Sequence, residues 1–136
     1  MSVLVDTPVW SLALRRPAAR LSPSGHGVVE ELSRLIHAGE ARLIGALRQE
    51  VLSGIRNEAQ FEKLRLRLRA FPDEPLGTAD YEAAARAGRS CRARGLACSG
   101  VDMLICAVAR ARGWAVFTTD GDFQRYARVL SLRLLA

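Results

Sequence analysis

The sequence predicts a three-layer α/β/α domain on a central, mainly parallel, twisted sheet. Short apolar runs, too short for helices, occur at 2–5, about 42–44 and 114–118. Segments with apolar residues at helical spacing fill the intervals, and strands alternating with helices give a parallel sheet. Acids end two of the runs: Asp6 follows Ser2-Val3-Leu4-Val5, and Asp120 follows Trp114-Ala115-Val116-Phe117-Thr118-Thr119. Sheets of this kind bind ligands beyond the carboxyl ends of their strands.

The elements follow in order. Val28, Leu32, Leu35 and Ile36 predict a helix over 27–38, stopped by Gly39. A second helix spans 46–56 and contains Glu50. Segment 58–71 carries two periods, a helical stripe of Phe61, Leu64, Leu68 and Phe71 and a strand-like alternation from Leu64 to Arg69. Its length and its Glu-Ala-Gln-Phe-Glu-Lys start favour helix. Phe71-Pro72-Asp73-Glu74-Pro75 is a turn within the domain. Thr78 is expected to cap a helix running to Arg94, with Asp80 and Glu82 at its start and Arg89, Arg92 and Arg94 toward its end, matching the helix dipole. Gly95 ends it. Ser99 caps the next helix, which runs to Arg112 and stops at Gly113. Alternating Leu130, Leu132 and Leu134 predict a last strand over 130–134.

A chain of 136 residues is a single domain, 1–136, by size, and 49 % apolar content suffices for a core. No apolar run reaches the roughly 18 residues of a membrane span, and no secretory leader precedes the first strand. The reading is cytoplasmic. Cys91, Cys98 and Cys106 are seven and eight residues apart, with no C-x-x-C pair and only two histidines, which argues for buried thiols over a zinc site. The net charge is +6, and Lys63 is the only lysine.

Five acids hold strategic positions: Asp6, Glu50, Asp102, Asp120 and Asp122. Asp102 heads the apolar segment Met103-Leu104-Ile105-Cys106-Ala107-Val108-Ala109. Each has an ordinary reading: Asp6 before Thr7-Pro8 as a helix cap, Glu50 as a solvated charge, Asp102 as a dipole-stabilising first-turn residue, Asp120-Gly121-Asp122 as a turn. Together they converge on one edge of the inferred sheet, and clustered buried carboxylates need pairing or a cation. Setting the five aside leaves nine acids against 20 bases. A basic body around an acidic centre suits a polyanion held against a divalent metal.

Asp6-Thr7-Pro8-Val9-Trp10, Glu50-Val51-Leu52-Ser53-Gly54, Val101-Asp102-Met103-Leu104-Ile105-Cys106-Ala107 and Thr118-Thr119-Asp120-Gly121-Asp122-Phe123 resemble, in order and over essentially the whole chain, the PIN-domain ribonucleases, and among them the VapC-type toxins of toxin–antitoxin modules. The resemblance implies a PIN-like fold and four main acids: Asp6, Glu50, Asp102 and Asp120. Asp122 joins or supports them, Thr118 orders the cluster, and Ser99 is the small polar residue before the third acid. It also implies a Mg²⁺- or Mn²⁺-dependent endoribonuclease, a small VapB-like antitoxin partner and a homodimer. The chain departs from the commonest pattern at Ala46-Leu47-Arg48-Gln49, where a Thr- or Ser-rich strand end is usual, and at Cys106, usually Ala.

Oxygen donors alone select such hard cations, with Asp6 and Asp102 as the expected core ligands. Arg86, Arg89 and Arg92 are candidates for RNA phosphates or a solvated face. A Toprim-like reading uses Glu50 with Asp120-Gly121-Asp122 but leaves Asp6 and Asp102 idle. A catalytically idle PIN-like module binding RNA or a regulator is disfavoured by the presence of all four acids. Haloacid-dehalogenase-like and receiver domains lack their Asp-x-Asp and late Lys, and no phosphate-binding glycine loop occurs.

Overall fold

The computed structural model describes residues 1–15 and 17–135. Three strands form the sheet: β1 (Val3–Val5), β2 (Ala41–Arg42) and β3 (Ala115–Phe117), in the order β2-β1-β3. Both pairings are parallel, with Val3 opposite Ala41 on one side and Ala115 on the other. Single parallel bridges, Leu43 to Asp73 and Val116 to Leu134, extend the sheet at its two edges. The helices are α1 (Thr7–Arg15), α2 (Pro23–His37), α3 (Gly45–Ser53), α4 (Glu58–Leu68), α5 (Thr78–Ala93), α6 (Gly100–Arg112) and α7 (Asp122–Leu130), with one 3-10 turn at Ala18–Arg20. α1 packs on α2 and α3, and α3 on α4, whereas α5 packs on α6 and α7.

The strand order explains the two helical layers. The chain leaves β1 toward β2, then returns past β1 to reach β3. Right-handed crossovers in opposite directions lay their helices on opposite faces of the sheet. The same reversal opens a crevice at the carboxyl end of β1, the switch point of such sheets. Strands buried on both faces read as continuous apolar runs, and Val3–Val5 and Ala115–Phe117 are buried throughout. Trp10 anchors α1 beneath the crevice. It is fully buried, its Nε1 donates to the Val5 carbonyl at 3.0 Å, and its ring meets Phe71 edge-on at 5.0 Å. On α6, seven consecutive residues from Met103 to Ala109 are buried, which a helix tolerates only when neighbours cover nearly its whole circumference.

Several sequence expectations hold. Segment 58–71 is helical over Glu58–Leu68, with Leu64 and Leu68 inward and Asn57 as its cap, and its last three residues turn out of the helix. Ser99 caps α6 by accepting from the Asp102 N–H at 3.1 Å, and Gly113 ends it at φ 68°, a left-handed conformation that favours glycine. Cys91 and Cys106 are buried free thiols as expected, whereas the free thiol Cys98 is only half-buried.

Others are corrected. There is no strand over 130–134: Leu130 ends α7, Ser131 turns the chain at φ 54°, and only Leu134 bridges to Val116. The leucine alternation joins a helix's last buried turn to a short extended tail. Thr78 is not the cap of α5. Gly77 holds that position, and its N–H donates to Asp80 Oδ2 at 2.9 Å. The second strand is Ala41–Arg42, shifted toward the N-terminus from 42–44, with Leu43 forming an edge bridge.

Asp80 also joins a clamp that ties the 71–77 turn to α6. Arg112 donates to Asp80 Oδ1 at 2.8 Å, to Glu74 Oε2 at 2.5 Å and to the Pro75 carbonyl at 3.1 Å. These guanidinium bonds and the Gly77 amide hold the Asp80 carboxyl down at about 2. Arg112→Ala is expected to lose about 2 kcal/mol in urea unfolding, the scale of hydrogen bonds to charged groups; a loss within error would show that the clamp is only a surface ion pair.

Candidate metal centre

Asp6 terminates β1 and begins α1, so its backbone and side chain serve different elements. Its N–H donates to the Phe117 carbonyl of β3 at 2.9 Å, continuing the ladder. Its Oδ1 accepts from the Thr7 N–H at 2.8 Å, capping α1, while Oδ2 accepts from Thr118 Oγ1 at 2.7 Å. Only 4 % of Asp6 is exposed. Burial pushes its carboxyl up to about 6, against the lowering effect of Thr118 and Thr7, and the Asp102 and Glu50 carboxylates push the same way. The capping reading and the site reading of Asp6 are both true, because the two oxygens divide the roles.

Thr118, immediately after β3, is the hinge of the cluster. While donating to Asp6 it accepts from the Asp120 N–H at 3.0 Å, so one hydroxyl fixes the first and fourth acids together. Asp120 Oδ1 in turn accepts from the Asp122 N–H at 2.9 Å and starts α7. Asp102 comes from a different element, the first turn of α6. Burial raises its pKa, and the Asp120 and Glu50 carboxylates add to that, while hydrogen bonds from Tyr126 and Ser99 oppose it.

The charges of Glu50 and Asp102 therefore act on Asp6, and those of Glu50 and Asp120 on Asp102. Glu50 projects from an exposed position on α3 yet acts on both Asp6 and Asp102. Asp122 stands apart, paired on its own helix with Arg125. Among the described residues, no three His, Cys, Asp or Glu side chains converge closely enough to ligate one ion directly. The donor chemistry still fits Mg²⁺ or Mn²⁺. The donors are all oxygen, and Mg²⁺ retains several waters through which acids reach it. Cys106, a turn beyond Asp102, is not a competing soft ligand, since burial and the Asp102 carboxylate both drive its thiol pKa upward.

Tyr126 is the site residue that sequence reading missed. It is buried, its hydroxyl donates to Asp102 Oδ2 at 3.2 Å, and its ring packs edge-on against Phe123 at 5.2 Å. Burial and the Asp102 charge hold its phenol well above its ordinary pKa, so it stays a donor. A signal existed: Tyr126 lies one turn beyond Phe123 on a helix that opens with the Asp120-Gly121-Asp122 turn.

The sequence profile of the PIN domain matches residues 3–129. The chain is a PIN domain. That family is of nuclease type, and its span includes every acid described above. Among solved structures, this PIN domain is similar to FitAcB from Neisseria gonorrhoeae, at 22 % identity and TM-score 0.75 over 98 % of this chain and 96 % of that one. It is also similar to VapBC2 from Rickettsia felis, solved with a DNA fragment from its promoter, at 17 % identity and TM-score 0.69 over 99 % and 98 % of the two chains. VapBC-1 from nontypeable Haemophilus influenzae follows at 14 % identity and TM-score 0.66 over 99 % and 97 %. At these identities the likeness establishes a shared fold over nearly the full length. No curated protein matches the sequence significantly.

Proposed function

We propose that this PIN domain is a Mg²⁺- or Mn²⁺-dependent endoribonuclease and the toxin of a toxin–antitoxin pair. The observation that carries the reading is the gathering of carboxylates around the switch point of the sheet, where Glu50 and Asp102 act on Asp6, Glu50 and Asp120 act on Asp102, and both receiving groups are raised in pKa. Carboxylates crowded in this way without a counterion are costly, and a divalent cation relieves the cost. The nuclease-type family and structural neighbours that are toxin–antitoxin complexes support the assignment. An antitoxin partner follows on the same support, and a cationic side chain inserted among these acids would block them by bidentate pairing.

In this reading Asp6 and Asp102 hold the ion. Glu50 and Asp120 orient a water or meet a second ion, and Asp122 is held at the rim by Arg125. Thr118 fixes one carboxylate oxygen of Asp6, and Tyr126 fixes one of Asp102. When bound, the metal supplies charge stabilisation at the scissile phosphate and a more acidic water. The antitoxin-free protein is expected to cut RNA with Mn²⁺ and to stop with chelator; cutting undiminished by excess chelator would remove the metal from the mechanism.

A narrower test addresses Tyr126. Tyr126→Phe keeps the ring and deletes only the donor to Asp102. It is expected to weaken Mn²⁺ binding about tenfold, the lower end of the effect of outer-shell partners, with little change in melting temperature in chelator. Calorimetric Mn²⁺ affinity equal to wild type would reduce Tyr126 to a packing residue.

A further inference from the structure

We propose that the cleft between α1 and α4 is the path of the single-stranded RNA beside the scissile phosphate, holding one nucleotide next to the carboxylates and further phosphates along α4. The proposal rests on the nuclease reading above and adds the route. The cleft encloses about 510 Å³ and is lined by Pro8, Ser11, Leu12, Arg15, Gln60 and Thr119. Pro8 lies two residues beyond Asp6, and Thr119 separates Thr118 from Asp120, so the cleft opens beside the acid cluster. Pro8 and Leu12 offer apolar surface to a base, and Ser11, Gln60 and Thr119 offer donors and acceptors to its edges. Arg15 supplies a cation, with one guanidinium nitrogen already used on the Gly54 carbonyl at 3.0 Å. None of these six is acidic.

α4 continues the route. At 3.6 residues per turn, Gln60, Lys63 and Arg67 fall within roughly 60° of one another, on one flank of the buried Leu64–Leu68 stripe. The acids of this helix, Glu58 and Glu62, fall on the opposite flank, where Glu62 pairs with Arg65 at 2.8 Å. Lys63 and Arg67 have no salt-bridge partner among the described residues. Unpaired cations leading into an acidic centre suit a polyanion whose one phosphate is held by metal and whose neighbours are not.

The test measures binding of a labelled unstructured RNA of about 20 nucleotides by fluorescence anisotropy, on antitoxin-free protein in chelator across a salt series. Mn²⁺ affinity is read separately on the same preparations. Lys63→Glu/Arg67→Glu is expected to weaken RNA binding at least about tenfold and to flatten the log K against log salt slope by roughly 1.4, the value for two phosphates on a single strand. Leu12→Trp, which fills the cleft without changing charge, is expected to weaken binding with the salt slope intact and Mn²⁺ affinity at wild-type level. If Arg89→Glu/Arg92→Glu on α5 causes the loss and the α4 pair does not, the route is wrong. If Leu12→Trp binds RNA normally but escapes neutralisation by the antitoxin, the cleft belongs to the protein partner. Wild-type protein that binds Mn²⁺ but not RNA overturns the RNA path alone; wild-type protein that binds neither overturns the nuclease reading with it.

Discussion

Asp102→Asn is expected to lose metal-dependent cleavage by at least ~100-fold, the upper end of the effect of altering a metal's outer shell, while melting no lower than wild type in chelator. Asn keeps the shape and an oxygen for Tyr126 to donate to, so packing survives. What disappears is a carboxylate whose charged form is disfavoured by burial and by the Asp120 and Glu50 charges. Removing that charge relieves the metal-free protein and deprives the ion of a ligand. Stabilisation by Mn²⁺ should shrink accordingly, since a ligand raises stability only through its affinity for the native state. The opposite pattern, a clear loss of stability in chelator with cleavage retained, would make Asp102 a helix-start residue and nothing more. That role is worth only about 0.5–1 kcal/mol.

The second large effect is a pH dependence set by Asp6. Its folded pKa of about 6 lies above its ordinary 3.8. Between those values the native state holds a proton that the unfolded state has released, so stability falls as pH rises from about 4 through 6. The gap corresponds to about 3 kcal/mol, or on the order of 10 °C in melting temperature for a domain of this size. Asp80 acts in a different window. Its carboxyl, held near 2 by Arg112, contributes stability that is lost only as pH falls below 4. Melting in chelator should therefore peak near pH 4–5 and decline toward neutrality. Saturating Mn²⁺ should remove most of the decline, and Asp6→Asn should flatten it. A wild-type profile in chelator that is level from pH 4 to 7 would mean that water or relaxation already solvates Asp6.

The layered architecture was legible in the sequence because its signals are local. Val3–Val5 and Ala115–Phe117 are continuous apolar runs, as strands covered on both faces must be. Ser99 and Gly113 mark the two ends of α6 by their own chemistry. The positions of Asp6, Asp102 and Asp120 at element ends could be read in the same way, since caps and strand ends are properties of neighbouring residues. The last strand was misread because Leu130, Leu132 and Leu134 alternate across a helix end, and only the left-handed turn at Ser131 reveals that the period changes there.

Tertiary structure decided what those acids are to one another. That Thr118 ties Asp6 to Asp120 and that Tyr126 reaches Asp102 depend on contacts between residues up to 112 positions apart. No spacing encodes them, because they arise only where two crossovers of opposite direction bring strand ends and helix starts to one crevice. The raised pKa of Asp6 has the same origin. An Asp before Thr-Pro is an ordinary cap in sequence, and it becomes a strained carboxylate only once the sheet, α6 and α3 close around it.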